Sequence, residues 1–307
     1  MEARSDRRDL GRFAVPAFVV VLVVFAGLRW LAVEPWALPA FDSYAYWLTR
    51  DGIDYSVTHP GATGAYLYSP AFAQLISPLT AMGWPAFAAV WTLLIAAPLA
   101  WLAGRWALAI LVLPPVFMSV ALGQLDLAFA LVVLLGLRWP GLWALPILTK
   151  LTPGIGLLWF VVRGEWRSLG IAIVATAAVV AASVAVDPVA WGGWLAMLIR
   201  MEFPQLGGDL WFLPLPLAFR LFVAAALIAW GAATDRRWVL PVGVCLSLPT
   251  VWLNSPTILL ATLPMLAAGA RTPAGRWVRS ALPATATGMP RRQLERQLGR
   301  LLKRVTA

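Results

Sequence analysis

Residues 13–33 form an apolar run of about 20 residues, long enough to cross the ~30 Å hydrocarbon core of a bilayer as one helix. Runs of the same character recur along the chain between short arginine clusters. In lipid every backbone N–H and C=O must find a partner within the protein, so a chain built from such runs folds as helices. Composition agrees. Of 307 residues, 61% are hydrophobic and 12% charged, with a mean hydropathy of +0.79, whereas a soluble domain is about a quarter charged. The formal charge of +10 invites a nucleic-acid partner, but the arginines sit between apolar runs and at both ends, as in cytoplasmic loops, and nucleic acid is set aside. A secretory signal is the alternative for residues 13–33. The run is longer than a signal core, Arg29 and Trp30 close it at an interface, and no small-x-small cleavage site follows, so an uncleaved first helix is expected.

Arg4, Arg7, Arg8 and Arg12 assign the start to the cytoplasmic side. Residue 42 then falls outside; residues 84–104 cross back to Arg105, residues 106–122 go out, the turn GQLD (123–126) is outside, and residues 127–137 return to Arg138. A single span over 142–162 would carry Arg163 and Arg167 outside. The interruption TKLTPG, with Lys150, Pro153 and Gly154, points instead to two short broken helices meeting at the outer side, since proline removes a helix donor and clashes with the preceding turn. Residues 168–186 go out, 187–211 form a second outer loop, 212–232 return to Asp235, Arg236 and Arg237, 238–253 go out to Asn254 and Ser255, and 256–270 return to Arg271. The expectation is an all-α polytopic membrane protein of about ten transmembrane helices, a monomer, with both termini cytoplasmic. Residues 1–271 are its membrane domain and 272–307 a basic cytoplasmic tail. The end PRRQLERQLGRLLKRVTA reads as an amphipathic helix on the inner leaflet or as an ordinary tail. No repeat with matching halves is visible, which weakens a transporter reading. The single Cys245 permits no intrachain disulfide and no cysteine metal cluster, and reads as a small core hydrophobe.

Polar chemistry concentrates in residues 41–78, FDSYAYWLTRDGIDYSVTHPGATGAYLYSPAFAQLISP, which holds Asp42, Asp51, Asp54, Arg50, His59 and all five tyrosines. It looks like a loop folded onto the membrane surface, a lid or a site wall. Asp42, just past a span between aromatic residues, suits a general base, although spacing alone favours an N-cap for the short helix FDSYAYWL. Gln124 and Asp126 orient a substrate or satisfy a turn. His59 is the only histidine, which excludes a metal site of several imidazoles; it reads as a surface residue before a ligand. Lys150 is one of two lysines and sits inside an apolar segment, where an unpaired ammonium costs about 2.5–3.5 kcal/mol. A bound phosphate would satisfy it, as would pairing with Asp126 or snorkelling to the surface. Arg200 and Arg220 are weaker candidates for the same phosphate, and Asn254, in WLNSP, lines a site or caps a helix.

Asp42 with Tyr44 after the first span, then YLYSP, then GQLD, then LTKLTP followed by an apolar run and a basic loop, closely resemble in order and spacing the bacterial polyprenol-phosphate-mannose-dependent alpha-mannosyltransferase family of GT-C membrane glycosyltransferases. The likeness covers residues 10–200. It implies a GT-C-like bundle whose first outer loop carries the active-site aspartate, in a bacterial plasma membrane, with the site extracytoplasmic. It also implies transfer of a sugar, mannose by family precedent, from a polyprenyl-phosphate donor to a glycolipid or glycan acceptor. On this resemblance Asp42 is the base of an inverting single displacement. Lys150, with Arg200, binds the donor phosphate, and Tyr44, Tyr66, Tyr68, Gln124, Asp126, His59 and Asn254 contact substrate. No DxD pair stands in the first loop, which argues against a nucleotide-diphosphate donor. No cofactor is required, and a divalent cation is left open. The competing classes are a transporter or lipid flippase and a non-catalytic scaffold of the same fold.

Overall fold

Proline opens helix after helix in this chain, because its fixed φ suits a first turn and its missing N–H would have had no partner there. Pro70, Pro85, Pro114, Pro140, Pro153 and Pro256 all stand at the first or second position of a helix. The computed structural model describes residues 3–31, 41–57, 60, 62, 64–200, 213 and 215–269, and among these the regular structure is helical, with no strand. The α-helices are α1 (Ala3–Leu31), α2 (Phe41–Leu48), α3 (Pro70–Thr80), α4 (Trp84–Ala103), α5 (Ala107–Leu111), α6 (Pro114–Leu122), α7 (Asp126–Leu135), α8 (Ala144–Lys150), α9 (Leu158–Val162), α10 (Trp166–Val186), α11 (Pro188–Arg200), α12 (Leu217–Ala233), α13 (Val239–Ser247) and α14 (Thr262–Gly269). Tighter 3₁₀ turns cover Thr49–Asp51, Gly104–Trp106, Pro140–Trp143, Thr152–Leu157 and Ser255–Ala261. Residues 1–265 form one compact unit; the second, 266–307, is described only at 266–269, the end of α14. The tail 272–307, His59 and residues 201–212 of the second outer loop lie outside the described residues.

Two described helical stretches are long and apolar enough to cross a membrane, Trp84–Leu111 and Trp166–Val186. A third is added if Pro114–Leu122 and Asp126–Leu135, bent by 107°, count as one span. These are the features of a membrane protein, but the described residues do not bear out about ten spans. The remaining apolar sequence is cut into shorter pieces, 14–28, 152–162, 217–233 and 255–266 among them, by the proline-opened turns and by glycine breaks. The expected turn at residues 104–105 is a backbone break at Gly104 (φ 54), yet the apolar stretch runs on through it to Leu111. Residues 187–211 are also not simply a loop, because Pro188–Arg200 is helical. Val174, Val20 and Phe222 are more than half exposed, a surface that suits lipid rather than water.

The segment 140–162 folds back on itself. Pro140–Trp143 and α8 form one arm, Thr152–Leu157 and α9 the other, and the register is fixed by two glycines. A Cβ on Gly154 would lie 3.1 Å from Ile147 Cγ1, and one on Gly156 would strike the Trp143 ring. Residues 154 and 156 thus face 147 and 143, one turn apart on the opposite arm, as antiparallel arms require. At the tip, Leu151 adopts φ 54, a conformation that costs a leucine about 1 kcal/mol or more and persists only where its surroundings impose it. Behind the tip, Arg163 at the end of α9 pairs with Glu165 (2.7 Å) and with Asp235 beyond α12 (2.9 Å).

Candidate functional site

An aromatic cluster fixes α2. Tyr46 packs edge-on against Phe72 of α3 and Trp91 of α4, and Tyr44 and Trp47 pack on Trp84. Such pairs are worth about 0.5–1.5 kcal/mol each beyond their buried area. The GQLD turn then docks on α2 at Ser43. Gly123 has φ 83, and a Cβ there would come within 2.6 Å of Ser43 Cβ, so only glycine allows the approach. Trp91 Nε1 donates to the Gly123 carbonyl at 2.9 Å and holds the turn down. The consequence is that Gln124 lies beside Asp42 and hydrogen-bonds its carboxylate.

Asp42, Gln124, Tyr68 and Lys150, scattered along the sequence, meet on the wall of one cavity of about 280 Å³. Burial pushes the Asp42 carboxyl up to about 6, against the opposing pull of the Gln124 hydrogen bond and the Lys150 charge. Lys150, the last residue of α8, projects from the hairpin tip. Its Nζ lies 5.7 Å from the centre of the Phe129 ring, and Asp42 and Asp126 are both within electrostatic reach. The Tyr68 hydroxyl pairs with that of Tyr46, also on the wall, at 3.0 Å, and its carbonyl accepts from Tyr55 Oη at 2.8 Å. The wall therefore holds a carboxylate suited to taking a proton near neutral pH and an ammonium suited to an anion.

Other residues singled out in the sequence lie elsewhere. Tyr66 is buried behind the wall and donates to the Ser69 carbonyl at 2.9 Å, while Tyr44 stacks on Trp47. Asp126 is fully buried at the start of α7; its Oδ2 accepts from Asn254 Nδ2 at 2.6 Å and from Ser119 Oγ at 3.1 Å. Asp126 and Asn254 thus bond each other instead of lining the cavity. Arg200 is exposed and donates from Nε to the Ala196 carbonyl of its own helix. Arg220 is consumed as a staple: its guanidinium donates to the carbonyls of Leu215, Leu246, Leu248 and Pro249. The first lies just ahead of α12 and the other three where α13 ends and an irregular segment begins, and Pro249, Thr250 and Trp252 of that segment complete the cavity together with Trp194 of α11. None of these wall residues was conspicuous in the sequence, since each sits in an apolar run among residues like itself. Among the described residues no group of three or more His, Cys, Asp or Glu is placed to hold a metal ion.

Residues 66–208, a little under half of the chain, match the family model of Glycosyltransferase family 87. The match indicates a glycosyltransferase of the GT-C-like membrane class, and does not single out the mannosyltransferase family within it. No curated protein and no solved structure matches the chain.

Proposed function

We propose that the chain is an integral membrane glycosyltransferase that moves a hexose, with mannose the first candidate, from a polyprenyl-phosphate donor to a glycolipid or glycan acceptor at the outer face of the membrane. The observation that carries this reading is the shared wall: Asp42 and Lys150, remote in the sequence, open into one cavity. In the proposed step the acceptor hydroxyl gives its proton to the Asp42 carboxylate and its oxygen bonds to the anomeric carbon with inversion. The bond from that carbon to the phosphate oxygen breaks, its electron pair stays on the phosphate, and the Lys150 ammonium balances the added charge. A phosphate leaving group needs such a cation rather than a general acid.

The test is Asp42→Asn, which keeps the shape of the side chain and removes its basicity. Transfer from a polyprenyl-phosphate sugar by purified protein in detergent should fall by about 10²–10⁴-fold, the usual contribution of a general base, with the unfolding temperature retained. Unchanged transfer removes Asp42 from the step. Wild-type protein that transfers from no such donor favours a transporter, a flippase or an inactive scaffold.

A further inference from the structure

Tyr68 is held from four directions. Its ring stands edge-on to Phe72 and to Tyr66, at 5.4 and 5.8 Å between centres. Its carbonyl accepts from Tyr55 Oη, and its hydroxyl meets that of Tyr46 at 3.0 Å. A side chain so constrained loses little freedom when a ligand arrives, which is what readies a site for binding. The two hydroxyls differ in position. Tyr46 is 3% exposed and packed against Phe72 and Trp91, whereas Tyr68 is only half-buried and shares the cavity wall with Lys150. Of the acidic groups around the Lys150 ammonium, the Tyr68 hydroxyl interacts with it most strongly, ahead of Asp126 and Asp42. A hydroxyl carries one hydrogen and both donates and accepts. Two hydroxyls joined by a single bond therefore leave one hydrogen over, and among the described residues neither hydroxyl has a second partner. An anion beside Lys150 decides which hydrogen that is. Tyr68, the outer of the two, turns its hydrogen to the anion, and Tyr46 donates to the Tyr68 oxygen. Each bond polarises the next, so the hydroxyl that accepts becomes the stronger donor.

We propose that Tyr68 donates to a phosphate oxygen of the lipid-linked donor beside Lys150, and that Tyr46 is the positioning residue that directs it there. Tyr46 acts through Tyr68 and does not touch the ligand. The inference rests on the transferase reading above and adds a second, neutral donor to the ammonium. A lysine ammonium turns freely and fixes no angle. A phenol on a clamped ring does, so the charge that gathers on the leaving phosphate meets one cation and one donor of set direction.

The experiment measures Kd for farnesyl phosphate and for farnesol in detergent with wild type, Tyr68→Phe, Tyr46→Phe and the double variant. Phenylalanine keeps each ring and deletes only the hydroxyl. The ratio of the two affinities is the readout, because the fraction of folded protein cancels from it. Tyr68→Phe should weaken farnesyl phosphate about tenfold and Tyr46→Phe about threefold, the scale of a lost and of a weakened hydrogen bond to an anion. Farnesol binding should be unchanged. The double variant should bind farnesyl phosphate no more weakly than Tyr68→Phe, since Tyr46 then has nothing left to direct. Three results overturn the inference: a single variant that binds farnesyl phosphate like wild type, an equal loss on farnesol, or losses that multiply in the double variant. In each case wild type that binds farnesyl phosphate and transfers leaves the transferase reading standing. Wild-type protein that neither binds farnesyl phosphate nor transfers from a polyprenyl-phosphate sugar overturns that reading, and this inference with it.

Discussion

Asp42 owes its basicity to a balance in which burial outweighs two opposing neighbours. Desolvation disfavours the carboxylate, whereas the Gln124 hydrogen bond and the Lys150 charge favour it, and the result is a carboxyl that ionises at about 6. Below that pH it is protonated and cannot accept a proton, so kcat/KM for sugar transfer should fall as pH drops through about 6. Gln124→Leu removes a group that favours the charged form, so the acid limb should move to higher pH even as the rate declines. A pH profile of the variant in detergent checks the sign, and a limb that stays put or moves down contradicts this account. At this scale the sequence was legible where polarity was rare: Asp42, Gln124 and Lys150 stand out because their neighbours are apolar. It misled where a polar residue had a partner remote in the chain. Asn254 looked free to line a site, but its amide is taken by Asp126. Thr250 and Trp252, by contrast, carried no local signal at all.

Between residue and fold, the element that needs most support is the irregular stretch after α13, and Arg220 supplies it from α12. Three carbonyls there, and that of Leu215 just ahead of α12, accept from one guanidinium. Arg220→Leu would strand them, at about 1–3 kcal/mol for each that stays dry, so a loss of roughly 3 kcal/mol or more is expected. Thermal unfolding in detergent measures it. Arg220→Lys should recover little, because an ammonium lacks the planar fork of five donors. A variant with leucine that unfolds like wild type would show the segment to be self-supporting. An arginine in an apolar run advertises a need for partners but not their identity, and backbone carbonyls satisfy it as well as a phosphate does. The hairpin over 140–162 was easier to foresee, since Pro153 and Gly154 interrupt a run that would otherwise cross. Its register was not, because it depends on the space that Gly156 leaves for the Trp143 ring.

On the scale of the molecule, α10 is the measuring rod. Its 21 residues span about 30 Å as a helix, the thickness of a hydrocarbon core. Near its last turn, Gln74 of α3 donates to the Ser183 carbonyl, on the side of the loop that carries Ala62 and Tyr68. Near its first turn lie Arg163 and Asp235. Labelling with a membrane-impermeant maleimide in a Cys245→Ser background, which removes the chain's one cysteine, should therefore separate two positions. Ala62→Cys is expected to react in intact cells and Asp235→Cys only after permeabilisation. Equal labelling of both would overturn the proposed sidedness.

The Arg220 staple has one more consequence. The charged groups are borne by α2 and by the hairpin tip, while the wall with Thr250 hangs from α12 and α13, so the charge in the cavity and the wall facing it come from separate stretches of polypeptide. Substitutions along 249–252 are therefore expected to reshape the hollow while Asp42 and Lys150 keep their places, a separation of contour from charge.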